Sequence, residues 1–358
     1  MPPIRVLVVD DSVVVRKLLS EALASTPEVQ LAGTASNGAI ALAKIPQLNP
    51  DVITLDIEMP GLNGIETLKE IRRLYPHLPV IMFSTLTEHG AAITLEALSL
   101  GASDYVTKPT NSSSLASAMG QVRGELLNKI LPLAGRSRGL HAPPVRQPKK
   151  SKPIASRIEI LAIGTSTGGP KALAEVIPHL PSEFPVPVVI VQHMPPLFTR
   201  LLAERLNAQS QVRVNEGEAG CPLEAGNVWI APGNHHMTIA RRGTKIVLDL
   251  NQGPPENSCR PAVDVLFRSV AQVYGSNALA VVMTGMGADG ARGAAEIHEA
   301  GGEVFIQDEA SSVVWGMPGA VASAGLADKI SPLQEISHEV IRRVGECRLH
   351  TSAATNRS

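Results

Sequence analysis

Ile158-Glu159-Ile160-Leu161-Ala162-Ile163-Gly164-Thr165-Ser166-Thr167-Gly168-Gly169-Pro170-Lys171-Ala172-Leu173-Ala174-Glu175 decides how this chain is read. The apolar run Ile158 to Ile163 reads as a strand, the stretch from Lys171 as a helix, and glycines line the turn between them. Ser166 sits on that turn. The glycines permit a tight backbone, and the helix N-terminus offers amide donors to a negatively charged tetrahedral intermediate, so the turn suits a nucleophile in acyl chemistry. Glycines before a helix also cradle phosphates, as in dinucleotide-binding loops. The local sequence permits both readings.

Outward from the turn, further strand-like runs at 186–191, 278–283 and 303–305 are separated by helical stretches at about 171–177, 198–207, 262–273 and 291–300. A hairpin insertion is expected between Val212 and Leu250, where Gly and Asn separate short β-rich pieces. Upstream, runs at 6–9, 31–35, 52–55, 80–83 and 104–106 alternate with helical stretches and give five βα units. Such alternation implies a parallel sheet covered by helices on both faces, with ligands at the carboxyl ends of its strands. Between the halves, from Leu133 to Arg157, prolines alternate with Arg136, Arg138, Arg146, Lys149, Lys150 and Lys152, which reads as a solvated, semi-rigid linker. The expected layout is therefore a five-stranded flavodoxin-like domain over 1–131, a linker over 132–156, a mainly parallel Rossmann-like domain over 157–347 and a frayed polar tail over 348–358.

At 358 residues the chain accommodates two cores. No run approaches the roughly 20 apolar residues of a membrane span. The start, Met1-Pro2-Pro3-Ile4-Arg5, has no leader-like pattern, so a cytoplasmic protein without membrane insertion is expected. Cys221, Cys259 and Cys347 are odd in number and lack zinc-type spacing, which makes them bystanders. A net charge of −1 and 3% aromatic residues argue against nucleic acid as the main substrate. His235-His236 lack a third ligand and are left as cleft lining, while His179, His298 and His338 read as surface residues.

In the first half Asp10 and Asp11 end one strand, Asp56 another, Ser84 a third, and Lys108 follows a fourth. In a doubly wound sheet these ends converge. Clustered carboxylates call for a hard divalent cation such as Mg²⁺, which leaves room for phosphate oxygens. Asp56 reads as a phosphoryl acceptor, Lys108 as a neutralising cation and Ser84 as a hydroxyl able to meet a new phosphoryl group. With Met59-Pro60-Gly61-Leu62-Asn63-Gly64, this half, residues 4 to 130, resembles the response-regulator receiver domain. The resemblance implies phosphorylation at Asp56, Mg²⁺ held by Asp10, Asp11, Asp56 and the Glu58 backbone, and a switch formed by Ser84, Tyr105 and Lys108.

In the second half, a serine nucleophile needs a base oriented by a carboxylate. His193 follows the strand 188–191 and Asp289 the strand 280–283, so both share the strand edge of Ser166. Asp289, between glycines, also suits a helix N-cap. The order Ser, His, Asp differs from that of α/β-hydrolases. Gly-Thr-Ser-Thr-Gly-Gly-Pro, Gln-His-Met-Pro, 231–236, Arg260-Pro261-Ala262-Val263-Asp264 and Thr-Gly-Met-Gly-Ala-Asp-Gly resemble the chemotaxis protein-glutamate methylesterases over roughly 157 to 345. That resemblance implies nucleophile Ser166, base His193, orienting Asp289, an oxyanion site at the Thr167 and Met286 amides, and no esterase cofactor. It further implies γ-glutamyl methyl esters of chemoreceptors as substrate, deamidation of glutamines as a second activity and a histidine kinase as phosphodonor. The receiver is expected to cover the cleft until phosphorylated, in a monomer. Two other readings are a receiver-controlled signalling or DNA-binding regulator, which lacks an evident helix-turn-helix, and a nucleotide-binding oxidoreductase, which lacks a ribose-binding acid about 20 residues after the glycines.

Overall fold

The computed structural model describes residues 2–108, 115–137 and 157–355, in two units divided near residue 141. The first contains β1 (Ile4–Val9), α1 (Val13–Ala24), β2 (Val29–Ala35), α2 (Gly38–Leu48), β3 (Val52–Asp56), α3 (Gly64–Leu74), β4 (Val80–Ser84), α4 (Glu88–Ser99), β5 (Asp104–Thr107) and α5 (Leu115–Ser137). Its sheet has the order β2-β1-β3-β4-β5, with every pairing parallel. Helices cover both faces, so β3 and β4 are buried at every position, as their unbroken apolar runs require. The topological switch point falls between β1 and β3, the strands that end at Asp10 and Asp56.

The second unit contains β6 (Ile160–Thr165), α6 (Gly169–Val176), β7 (Val188–Gln192), α7 (Pro196–Gln209), β8 (Arg213–Glu216), β9 (Asn227–Ile230), β10 (His236–Arg242), β11 (Lys245–Asn251), α8 (Val263–Tyr274), β12 (Ala278–Val282), α9 (Ala291–Glu299), β13 (Glu303–Gln307), α10 (Met317–Ser323), β14 (Lys329–Ser331) and α11 (Leu333–Thr355). Seven strands form a parallel sheet of order β14-β13-β12-β6-β7-β9-β8. The chain enters at the centre on β6, passes to β7 and out to the edge on β8, inserts β9 between these two, and returns to β12 on the other side of β6. This second switch point puts the ends of β6, β7 and β12 side by side.

Three expectations need correction. The hairpin is confined to β10 and β11; β8 and β9 instead extend the main sheet in parallel, because Val214, Val228 and Ile230 alternate inward and find a buried face there. α5 runs to Ser137, past the boundary set at 131, because Ile130, Leu133 and Ala134 repeat at i, i+3 and i+4 and are buried. The remainder of the expected linker, 138–156, lies outside the described residues. α11 runs to Thr355 through most of the residues read as a tail.

The β10 to β11 hairpin packs on α8: Met237, Ile239 and Leu248 join Leu266, Phe267 and Val270 in one core, and the Ser269 hydroxyl accepts from the Ile239 amide at 3.1 Å. Because α8 begins at the candidate site, this core fixes where the site's backbone donors point. Phe267→Ala is expected to cost about 3–5 kcal/mol in denaturant-induced unfolding, since Phe267 is fully buried.

Candidate functional sites

In the first unit, Ser12 caps α1 and Asn63 and Glu66 form a capping box on α3, which holds the loops after β1 and β3 in place. Asp10 and Asp56 are buried and Asp11 is exposed, yet one ligand atom from each lies within 4.8 Å of the others. Among the described residues this is the one such group of three or more candidate ligands. The Lys108 ammonium lies 2.7 Å from Asp56 Oδ1 and 3.5 Å from Asp10 Oδ2. Asp56 Oδ2 and Asp10 Oδ2 are buried without a hydrogen-bond partner. Unsatisfied buried carboxylate oxygens facing one another fit a hard, oxygen-loving cation. Burial pushes the Asp56 carboxyl up to about 6, against the pull of its Lys108 hydrogen bond and with Asp10 adding to the rise. The Glu58 amide also donates to Asp56.

Ser84 ends β4 as expected, but its hydroxyl faces α4: it accepts from Thr94 Oγ1 at 2.6 Å and donates towards the Gly90 carbonyl at 3.3 Å. Tyr105 is buried, its ring beneath the Lys129 ammonium at 4.7 Å.

In the second unit, Gly168 caps α6 with φ +78°, and a Cβ there would lie 2.6 Å from Val313, so the Ser166 turn requires glycine. Two backbone links and one from a side chain hold the edge together. The Ser166 amide donates to Thr284 O at 3.0 Å, the His193 amide to Thr165 O at 3.3 Å, and Gln192 Nε2 to Ser166 O at 3.0 Å. His193 Nε2 meets Asp289 Oδ2 at 2.8 Å. The other imidazole nitrogen, Nδ1, lies 3.5 Å from Cys259 Sγ. Ser166 is half-buried, and among the described residues its hydroxyl has no hydrogen-bond partner. The structure therefore joins His193 to Asp289 and brings Ser166 to the neighbouring strand end, without a bond between Ser166 and His193. Thr167 is buried in the Ser166 turn, its carbonyl accepting from Thr284 Oγ1 at 2.8 Å, and Met286 lies half-buried in the turn after β12.

Asp289 is held from every side. Oδ2 also accepts from the Val263 amide at 2.7 Å, and Oδ1 accepts from the Asp264 and Gly290 amides at 3.0 Å and from Asn257 Nδ2 at 2.8 Å. Its expected cap role is thus real, but the helix it chiefly caps is α8. Burial raises its pKa, and His193 with the α8 amides more than reverses this, leaving it below the usual carboxylate range. For His193, burial disfavours the cation, but the bond to Asp289 and the Cys259 sulfur prevail and push the imidazole up to about 9.

Cys259 is therefore no bystander. Its role, like those of Asn257 and Asp264, escapes the sequence because it depends on a loop folding back. The available signal was Asn257-Ser258, a dipeptide that turns tightly. His235 and His236 make no metal group: buried His236 is engaged by Pro254 O at 3.0 Å and by the Ala262 amide at 3.2 Å. Among the described residues no helix is long and apolar enough to cross a membrane.

An acidic pocket at one sheet's switch point and an imidazole–carboxylate pair beside a serine at the other define a two-domain α/β protein of the response-regulator hydrolase class. The CheB methylesterase family description matches residues 161–340, and the response regulator receiver domain matches 6–119. Relatives from Trichodesmium erythraeum and Nocardioides sp., both named protein-glutamate methylesterase/protein-glutamine glutaminase, are 51% and 50% identical. The first alignment covers 96% of this chain and 100% of the relative, the second 97% of each. The crystal structure of the Thermotoga maritima CheB methylesterase catalytic domain is 42% identical and covers 52% of this chain and 98% of its own, with a TM-score of 0.51. This chain belongs to the CheB methylesterase family.

Because the Asp56 carboxyl sits above its unfolded value of 3.8, its contribution to stability is present below that value and lost as pH rises through about 6. Without added metal, the melting temperature is expected to fall across that window. Millimolar Mg²⁺ should offset the fall above pH 6 and do little below it, and Asp56→Asn should blunt both effects in calorimetric scans.

Proposed function

We propose that this chain is a phosphorylation-controlled protein-glutamate methylesterase that hydrolyses γ-glutamyl methyl esters on cytoplasmic helices of chemoreceptors and deamidates selected glutamines. The reading rests on the 2.8 Å contact between His193 and Asp289 at the strand edge that also carries Ser166. The halves divide the work, with the phosphoacceptor in 1–131 and the chemistry in 157–347. This reading sets aside a DNA-binding output.

Asp289 holds Nε2, so Nδ1 is the nitrogen left for proton transfer. Ser166 Oγ attacks the ester carbonyl as its proton passes to Nδ1. The oxyanion is met by the Thr167 and Met286 amides, with the α6 N-terminus behind them. The imidazolium then protonates the departing methoxide, and methanol leaves. A water gives its proton to the same nitrogen, attacks the acyl-serine and releases glutamate as Ser166 regains its proton. With glutamine as substrate, ammonia leaves instead. Control comes from Asp56, phosphorylated from a chemotaxis histidine kinase, with Lys108 positioned for the new phosphoryl oxygens. A Mg²⁺ held by Asp10, Asp11 and Asp56 would supply further charge neutralisation there.

The contact between Cys259 and His193 supports a second reading in which the thiol is the nucleophile. Ser166 is favoured because it sits on the turn that feeds the α6 N-terminus, whereas the first amides of α8, the helix that follows Cys259, are already taken by Asp289.

Methanol release from methyl-labelled receptor membranes separates the two. Ser166→Ala is expected to lose activity by about 10³-fold or more, as nucleophile removal does in serine hydrolases, while Cys259→Ala keeps it. The reverse result would make Cys259 the nucleophile. A small-molecule phosphodonor should raise release by the unmodified protein and leave Asp56→Asn unchanged. Because imidazolium takes up no proton, the rate should climb with pH until His193 deprotonates near about 9.

A further inference from the structure

Glu256-Asn257-Ser258-Cys259 form a tight hairpin turn: the Glu256 amide donates to Cys259 O at 3.1 Å, and the Cys259 amide to Glu256 O at 2.9 Å. Asn257 and Ser258, its central residues, both have positive φ, 52° and 63°, the type I′ geometry in which Asn is favoured. The turn presents two side chains to the candidate site, Cys259 to His193 and Asn257 to a pair of buried carboxylates.

Asn257 Nδ2 lies 2.8 Å from Asp289 Oδ1 and 2.8 Å from Asp264 Oδ2. An amide nitrogen carries two protons, so each carboxylate receives one. The opposite flip would set the amide oxygen against two carboxylates, which chemistry rules out. Asp264 Oδ1 in turn accepts from the Gly290 and Gly293 amides at 2.9 and 2.8 Å. Asp289 caps α8, Asp264 caps α9, and one amide bridges them.

We infer that Asn257 is a positioning residue for the hydrolytic reaction: its amide donates one hydrogen bond to each of the facing oxygens of Asp264 and Asp289 and fixes the carboxylate that orients His193. This rests on the proposed function, and it adds a residue that touches neither substrate nor His193. The titratable groups facing His193 and its partner are Asp289, Cys259 and, through Asn257, Asp264. The charged neighbours on the loop are engaged elsewhere, Glu256 by Arg268 and Arg260 by Asn234 and the Gln252 and Gly253 carbonyls.

Two substitutions tolerate the positive φ and are made in the full chain. Asn257→Asp replaces the donor with a third carboxylate, and Asn257→Gly removes the amide without adding charge. Two readouts are taken: the His193 titration by NMR of histidine-labelled protein, and the pH dependence of kcat and KM for methyl-ester hydrolysis. Asn257→Asp is expected to raise the His193 midpoint, move the rise in rate to higher pH and lower kcat at neutral pH more than tenfold, with KM little changed. Asn257→Gly should lower kcat several-fold with a smaller displacement of the midpoint. If both variants keep the wild-type His193 titration, or keep wild-type kcat while only the melting temperature falls, the positioning role is wrong. Failure of the functional reading shows separately, as full hydrolysis by Ser166→Ala, and does not alter what the NMR titration reports. Should Asn257→Asp fail to fold, Asn257→Gly decides on the same two readouts.

Discussion

Each of two buried carboxylates satisfies the helix that begins beside the other. Asp289, just before α9, accepts from the first amides of α8, and Asp264, in the first turn of α8, accepts from Gly290 and Gly293 at the start of α9. Burying a carboxylate costs several kcal/mol unless its lone pairs are met, while a helix N-terminus returns up to about 2 kcal/mol to a well-placed anion. The exchange locks the start of α8 to the start of α9, beside the end of β12. The hairpin behind α8 and the turn at Asn257 complete the same enclosure. Losing either carboxylate would orphan amides at a helix start as well as the group it faces.

The receiver pocket treats its acids in the opposite way. Asp10 and Asp56 are as deeply buried as Asp264 and Asp289, yet each keeps an oxygen with no hydrogen-bond partner, and among the described residues Lys108 is the cation paired with their carboxylates. Desolvation therefore prevails and their pKa values rise; it prevails at Asp264 too, despite its Gly293, Asn257 and Gly290 donors, and only Asp289, bonded to His193, falls below the usual range. The difference suits the roles proposed for Asp289 and Asp56. A carboxylate that orients a base must be ionised and still, so it is saturated with donors. One that accepts a phosphoryl group must keep an oxygen available, which leaves the pocket electrostatically incomplete.

Much of this was legible in the sequence, because strand ends are. Asp10, Asp56, Ser84, Ser166, His193 and Asp289 each follow an apolar run, and parallel topology brings such ends to one edge. What escaped depends on contacts between segments distant in sequence. Asp264 reads as an ordinary first-turn acid facing solvent, and only the approach of α9 makes it a buried cap. The Cys259 sulfur meets its partner, His193, only across a long stretch of sequence. Asn257 has the composition of any turn until two carboxylates meet above it. Ser84 was placed correctly on β4, but its bond to Thr94 depends on how α4 packs. Pro and basic residues after Ser137 concealed how far the apolar spacing of α5 continues.

With His193 as the general base of the proposed mechanism, the imidazole–carboxylate pair places stability and catalysis in opposition. With a folded pKa of about 9 against 6.5 for an ordinary histidine, protonated His193 stabilises the fold fully below pH 6.5, and that contribution is lost as pH rises through 9. The difference is worth about 3 kcal/mol at most, at 1.36 kcal/mol per pKa unit. A general base must be neutral to begin the reaction, so the state that best supports the fold is the one that cannot take the serine proton. In the proposed mechanism the raised pKa still serves the reaction, because a neutral imidazole with a high pKa is a stronger base and Asp289 is placed to hold its conjugate acid. Whatever loosens Asp289 or withdraws the Cys259 sulfur from Nδ1 raises the neutral fraction, at a cost to the contacts that hold α8 and α9 together.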